Sequence, residues 1–166
     1  MPVTDVQKDT DAATMTVTAE FDAPVDRVWQ LYADPRQLER WWGPPTYPAT
    51  VHAHDLTPGG RVHYTMTGPE GDVHGGIWDV IAVDAPRHLE LEDSFADPDG
   101  TPNPDMPTTT MVLDLADREG GGTVMTVVST FASTEAMQDL VAMGMEEGMQ
   151  QSMGQMDALL AGTPAA

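Results

Sequence analysis

Residues 133–160 read STEAMQDLVAMGMEEGMQQSMGQMDALL. Met137, Leu140, Val141, Met145, Met149, Met153, Met156 and Leu160 return at steps of three and four, the period of one helix face. Glu146, Glu147, Gln150, Gln151, Gln155 and Asp157 fall on the other face. Ser133 suits the N-cap, and Glu135 places a negative charge at the positive end of the helix dipole. Gly162 and Pro164 are stop signals. The pattern predicts one long helix of roughly 40 Å at about 1.5 Å per residue.

Two features of this helix bear on function. Methionine recurs at 137, 143, 145, 149, 153 and 156, where a core helix ordinarily uses leucine, and flexible thioethers adapt to irregular contents. Gly144, Gly148 and Ser152 form a second row; each glycine costs about 1 kcal/mol against alanine, so the spacing implies close backbone approach or a need for room. Periodicity alone does not separate a filled core from a cavity wall.

Upstream, Met15–Phe21 alternates as a half-buried strand. Pro24 then opens a short helix over Val25–Ala33, and Asp34-Pro35 starts a second that runs to Trp41 before Gly43-Pro44-Pro45. Strand patterns follow over Thr50–Leu56, Arg61–Thr67, Val73–Val83, His88–Phe95, Thr108–Leu115 and Thr123–Phe131, with Gly75-Gly76 expected to bulge or bend the third of these. The segment from Ala96 to Pro107 reads as a loop. Residues 1–14 read as a flexible lead and 15–162 as a single domain. The fold class is α+β: six or seven antiparallel strands whose apolar face needs the terminal helix as its cover.

The chain carries 27 acidic against seven basic residues, a formal charge of −20, and has no cysteine. A surface of that sign repels nucleic acid and anionic membranes. Thiolate metal sites, cysteine nucleophiles and disulfides are excluded. No apolar run reaches membrane-spanning length and no signal-peptide pattern opens the chain, so the expectation is a cytoplasmic protein.

Phe21-Asp22-Ala23-Pro24-Val25-Asp26-Arg27-Val28-Trp29, then Arg40-Trp41-Trp42-Gly43-Pro44, Leu56-Thr57-Pro58-Gly59-Gly60-Arg61 and Gly144-Met145-Glu146-Glu147-Gly148-Met149 with Ser152 form a linked series. This series resembles the START-like superfamily, and more narrowly its bacterial branch named for the activator of heat-shock protein 90 ATPase. The resemblance implies a helix-grip fold, a curved antiparallel sheet wrapped on a C-terminal helix, with a cavity that receives an apolar ligand in many relatives. It also admits a homodimer, and the family name suggests a chaperone partner. Relatives commonly carry an aromatic, often Trp, at the position of Met149, and often Leu at Met153. Flexible chains there imply a larger or softer pocket.

For chemistry, His52, His54 and His63 share neighbouring strands, but the alternation with Val51 and Ala53 turns His52 and His54 to solvent. Asp97, Asp99 and Asp105 lack the spacing of a calcium loop and read as an acidic turn. Inside a cavity, Tyr64, Ser129 and an inward Asp79 or Asp114 could move protons, since a carboxylate beside apolar walls has a raised pKa. No catalytic residue, metal ligand or cofactor site is assigned. The primary expectation is binding of a small hydrophobic or amphipathic molecule by Tyr64, Met66, Trp78, Met111, Leu113, Met125, Val127, Met145, Met149 and Met153, with Trp42 near the entrance. A polyketide-cyclase or dehydratase-like enzyme is the alternative; a pair of inward polar groups within hydrogen-bond reach would support it. A chaperone-interacting module is the other.

Overall fold

A computed structural model describes residues 3–161. Alternating sequence becomes strand at β1 (Val3–Asp9), β2 (Thr14–Phe21), β3 (Ala49–His54), β4 (Arg61–Thr67), β5 (Val73–Asp84), β6 (His88–Ala96), β7 (Thr109–Asp117) and β8 (Thr123–Phe131). Helices α1 (Val25–Ala33) and α2 (Pro35–Trp41) follow β2. Asp34 caps α2 by accepting the Arg36 N–H at 2.9 Å, and Pro35 occupies the first turn, where no N–H is needed.

The strands form one open, curved antiparallel sheet in the order β1-β2-β8-β7-β6-β5-β4-β3. From β2 the chain crosses through α1 and α2 to the far edge, then meanders back strand by strand until β8 pairs with β2. The crossing lays α1 and α2 over the sheet and buries Leu31, Tyr32, Leu38 and Trp41 against its apolar face. That face carries Met15, Val17, Ala19 and Phe21 of β2 with Leu113, Leu115, Met125 and Val127 of the final hairpin, all buried. Removing each of the larger of these side chains from water contributes about 1.5–3 kcal/mol. This is the helix-grip architecture.

Four local expectations change. The stretch read as a flexible lead contains β1, an edge strand paired along β2 from Val3 to Asp9. Its alternation is weak because an edge strand of mostly Thr, Asp, Gln and Lys buries little apolar area. Gly75-Gly76 does not bulge β5; pairing to β4 runs unbroken through both, and the register shift falls between Val80 and Ala82. A second shift, between Val51 and Ala53, leaves Ala53 exposed and turns His54 half inward, where its ring nitrogen meets the Tyr32 carbonyl at 3.0 Å.

The fourth concerns the terminal helix, which is three pieces: α3 (Thr134–Ala142), α4 (Met145–Gly154) and α5 (Met156–Ala161). Gly144 has φ +90°, a left-handed conformation that ends α3 and redirects the chain into α4. At Gln155 the backbone N–H drops back to the Ser152 carbonyl, a tighter turn that separates α4 from α5. The apolar period continues through both breaks, so the sequence pattern alone gives a single helix. Ser133 does cap it, accepting the Ala136 N–H at 3.0 Å. The stop signals Gly162 and Pro164 lie outside the described residues. Polar ties seat these helices: Lys8 pairs with Glu146 at 3.0 Å, Gln155 donates to the Gly43 carbonyl at 2.7 Å, and Arg27 donates to the Leu159 carbonyl at 2.9 Å.

Candidate functional site

The terminal helices do not fill the space beneath them. A cavity of about 320 Å³ remains between the sheet and α3–α4, within the range of small-molecule sites. The sheet contributes Tyr64 and Met66 of β4, Gly75 of β5, Asp93, Ser94 and Phe95 of β6, Thr109 and Met111 of β7, and Val127 of β8. The helical side is Leu140, Met143, Gly144, Met145, Gly148, Met149, Ser152 and Met153, with Tyr32, Trp41, Trp42 and Pro44 at one end. Phe95, His74 and Met143 line it and are exposed, which marks the mouth. A Cβ added at Gly148 would meet nothing, so this glycine leaves room in the cavity and does not permit a close backbone approach.

Of the residues expected at the site, Trp42, Tyr64, Met66, Met111, Val127, Met145, Met149 and Met153 stand on the cavity wall. Trp78, Leu113 and Met125 do not; all three are fully buried in packed core. Trp78 lies behind Trp42, the rings edge-on at 4.9 Å, and Met125 lies under α1, where its sulfur accepts the Tyr32 O–H at 3.3 Å. Leu113 shares the face of Met111 but sits further along β7, beyond the cavity's end. Trp42 is less an entrance than a wall: it also packs edge-on against Trp41 at 5.5 Å and Tyr64 at 5.7 Å.

The polar centre of the cavity is a pair that includes a carboxylate absent from the sequence-based expectations, Asp93. Tyr64 Oη donates to Asp93 Oδ1 at 2.9 Å. Register explains the reach. Tyr64 on β4 faces Gly76 on β5, and a Cβ at Gly76 would collide with the Tyr64 ring. Without that Cβ the ring lies across β5 and its hydroxyl arrives at β6. The signal for Asp93 was present, since Leu89, Leu91 and Asp93 alternate onto one face of β6 and an aspartate stands where a third apolar residue belongs. Asp79 and Asp114, the carboxylates expected to point inward, bond Arg61 and His88 instead. Ser129 is buried but does not line the cavity.

Burial pushes the Asp93 carboxyl up to about 7, against the Tyr64 hydrogen bond and the Ser94 backbone N–H, which hold it down. The residue is half-buried and lines the cavity. Burial, the Asp93 charge and their hydrogen bond drive the Tyr64 phenol well above its ordinary value, while the Trp42 N–H draws it slightly back. That N–H reaches no acceptor within hydrogen-bonding geometry among the described residues. A carboxyl near half-ionised at neutral pH can accept or release a proton, or take an ion-pair partner.

The histidines sit elsewhere. His52 and His63 stack with ring centres 5.0 Å apart, and His52 Nε2 meets Thr65 Oγ1 at 2.8 Å. Burial, then the neighbouring His52, lowers the His63 pKa. Among the described residues no group of three His, Cys, Asp or Glu converges as metal ligands do. No described helix is long and apolar enough to cross a membrane.

Fold and cavity together define a helix-grip protein. Residues 22–161 match the family model of the Activator of Hsp90 ATPase homolog 1-like proteins, and the chain belongs to that family. A crystal structure of a Mycobacterium smegmatis protein is similar at 53% identity, covering 99% of this chain and 100% of that one, with a TM-score of 0.89. A solution structure from Arthrobacter aurescens matches at 48% identity over 96% of this chain and 92% of its own, TM-score 0.90. One from Staphylococcus epidermidis matches at 29% identity over 95% and 93%, TM-score 0.82. The search of curated proteins gave no match.

Proposed function

We propose that this protein binds a small, largely apolar molecule in the cavity between the sheet and α3–α4, with the ligand's polar end against Tyr64 and Asp93. The observation that carries the reading is the cavity itself: about 320 Å³ walled mostly by methionine and aromatic side chains, with one hydrogen-bonded polar pair. Apolar burial at roughly 25 cal/mol per Å² supplies affinity, and the pair supplies orientation. Met66, Met111, Met145, Met149 and Met153 are the apolar contacts, and their flexibility suits a range of shapes. A cytoplasmic setting, with which the cysteine-free chain is compatible, belongs to the same reading.

Native mass spectrometry of gently purified protein tests it. The expected result is a retained small molecule that Met149→Trp displaces while the domain stays folded, since the larger ring occupies the cavity. No retained mass in the native protein, or equal retention in the variant, would sink the reading.

One observation favours a second reading, proton transfer on the bound molecule by an enzyme of the polyketide-cyclase or dehydratase kind. Two polar groups meet at 2.9 Å on the cavity wall, one of them a carboxyl poised near neutrality. Incorporation of deuterium from solvent into a retained ligand, lost in Asp93→Asn, would support this role; exchange unaffected by the substitution would remove it.

A further inference from the structure

The cavity wall is chemically one-sided. Among the described residues that line it, none is Lys or Arg. The Tyr64 hydroxyl hydrogen is already given to Asp93, and the Trp42 N–H, which meets no acceptor within hydrogen-bonding geometry among the described residues, is itself buried. What faces a ligand is therefore acceptor capacity: the Asp93 carboxylate and the Tyr64 lone pairs. Ser94, Thr109 and Ser152 add hydroxyls that rotate to accept or donate. Across the sheet Asp93 stands opposite Trp78 on β5 and Thr109 on β7, neither of them charged. From β4 it meets Tyr64, and no second charge contributes to its shift. The imidazole on the wall, His74, is at the mouth and bonds Asp72 at 3.1 Å. From α4 the wall brings Gly148, Met149, Ser152 and Met153, again uncharged. Outside, a net charge of −20 attracts cations and repels anions before contact.

We infer that the cavity takes a small apolar amine, its ammonium seated against Asp93 beside Tyr64 and its chain among the methionines. This rests on the ligand-binding reading above and narrows it to a chemical class. An ammonium supplies three donors to a site rich in acceptors and brings the opposite charge to a carboxylate that burial has left short of solvent. A carboxylate ligand meets the reverse, like charge with no basic partner on the wall. At about 30 Å³ per water-sized group the space holds roughly ten such groups, which fits an eight-carbon chain and its head.

Octylamine, octan-1-ol and octanoate share that chain and differ in the head, so calorimetric titration of the intact protein with each separates the two claims. At pH 8 the amine is expected to bind at least tenfold more tightly than the alcohol, with octanoate weakest. Asp93 takes up its proton near pH 7 whereas an alkyl ammonium stays charged to about pH 10. Amine affinity should therefore fall about tenfold per pH unit below 7, roughly thirtyfold by pH 5.5. Asp93→Asn should bring amine and alcohol within about threefold of each other and abolish the pH dependence. Tyr64→Phe leaves the carboxyl in place but removes a hydrogen bond that holds its pKa down, so the midpoint should move upward. Equal or better binding of the alcohol or octanoate overturns this inference and leaves the cavity reading standing. An unmoved midpoint in Tyr64→Phe also counts against Asp93 as the seat. If none of the three binds the native protein, both readings fall.

Discussion

Asp93→Asn should make the domain more stable near neutral pH, and the gain should vanish in acid. Burial raises the carboxyl's pKa from its ordinary value of 3.8 to about 7 in the folded chain. Its folded pKa is raised, so between those values the folded state binds the extra proton and stability falls as pH rises. At about 1.4 kcal/mol per unit, the whole shift corresponds to roughly 4 kcal/mol. Asp93 keeps some accessible surface, which screens the charge, so about 2–4 kcal/mol is the working range. Asparagine has nearly the same shape, and its side-chain carbonyl can still accept the Tyr64 hydroxyl, but it never carries the charge. Urea denaturation of both proteins from pH 4 to 8 provides the measurement. The variant's advantage should be near zero at pH 4, grow with pH, and level off above about 7 at roughly 2–4 kcal/mol. Taking the difference between two proteins cancels the remaining acidic residues, whose own titration otherwise dominates a chain of this charge. A difference that stays flat across the range, or a destabilised variant at pH 8, would refute the claim that burial strains this carboxylate.

Three further substitutions separate the site from its support. Gly76→Ala places a Cβ on the Tyr64 ring and should cost about 1–3 kcal/mol; with the ring displaced, the Asp93 carboxyl should titrate above 7 in a carbon-detected NMR titration. Gly144→Ala forces an alanine to φ +90° and should cost about 1–2 kcal/mol in urea denaturation, all of it backbone strain because a Cβ there touches nothing. Leu113→Ala, in packed core, should cost about 2–5 kcal/mol by the same assay while octylamine affinity measured under folding conditions changes little.

Residue order alone determined the sheet, the helix pair after its first long strand, and the methionine face of the last helix. Such features are local: alternation, proline placement and turn residues act within a few positions, and they put the strands Arg61–Thr67 and Thr123–Phe131 at their observed limits. Met145, Met149 and Met153 of the methionine row line the cavity, although the period itself does not separate cavity wall from filled core. Distances between strands were not legible in this way. That Tyr64 reaches Asp93 depends on the register of β4, β5 and β6, which sets Gly76 between them; short turns make these strands neighbours, but no spacing in the chain encodes which residues stand opposite. Trp78, Leu113 and Met125 show the same limit, since one apolar face of a strand continues past the end of a cavity into solid core without any change of pattern. Tertiary structure also decided that Gly144 is a bend, because a glycine in an unbroken apolar period is compatible with either a straight or a broken helix until something must fit beneath it.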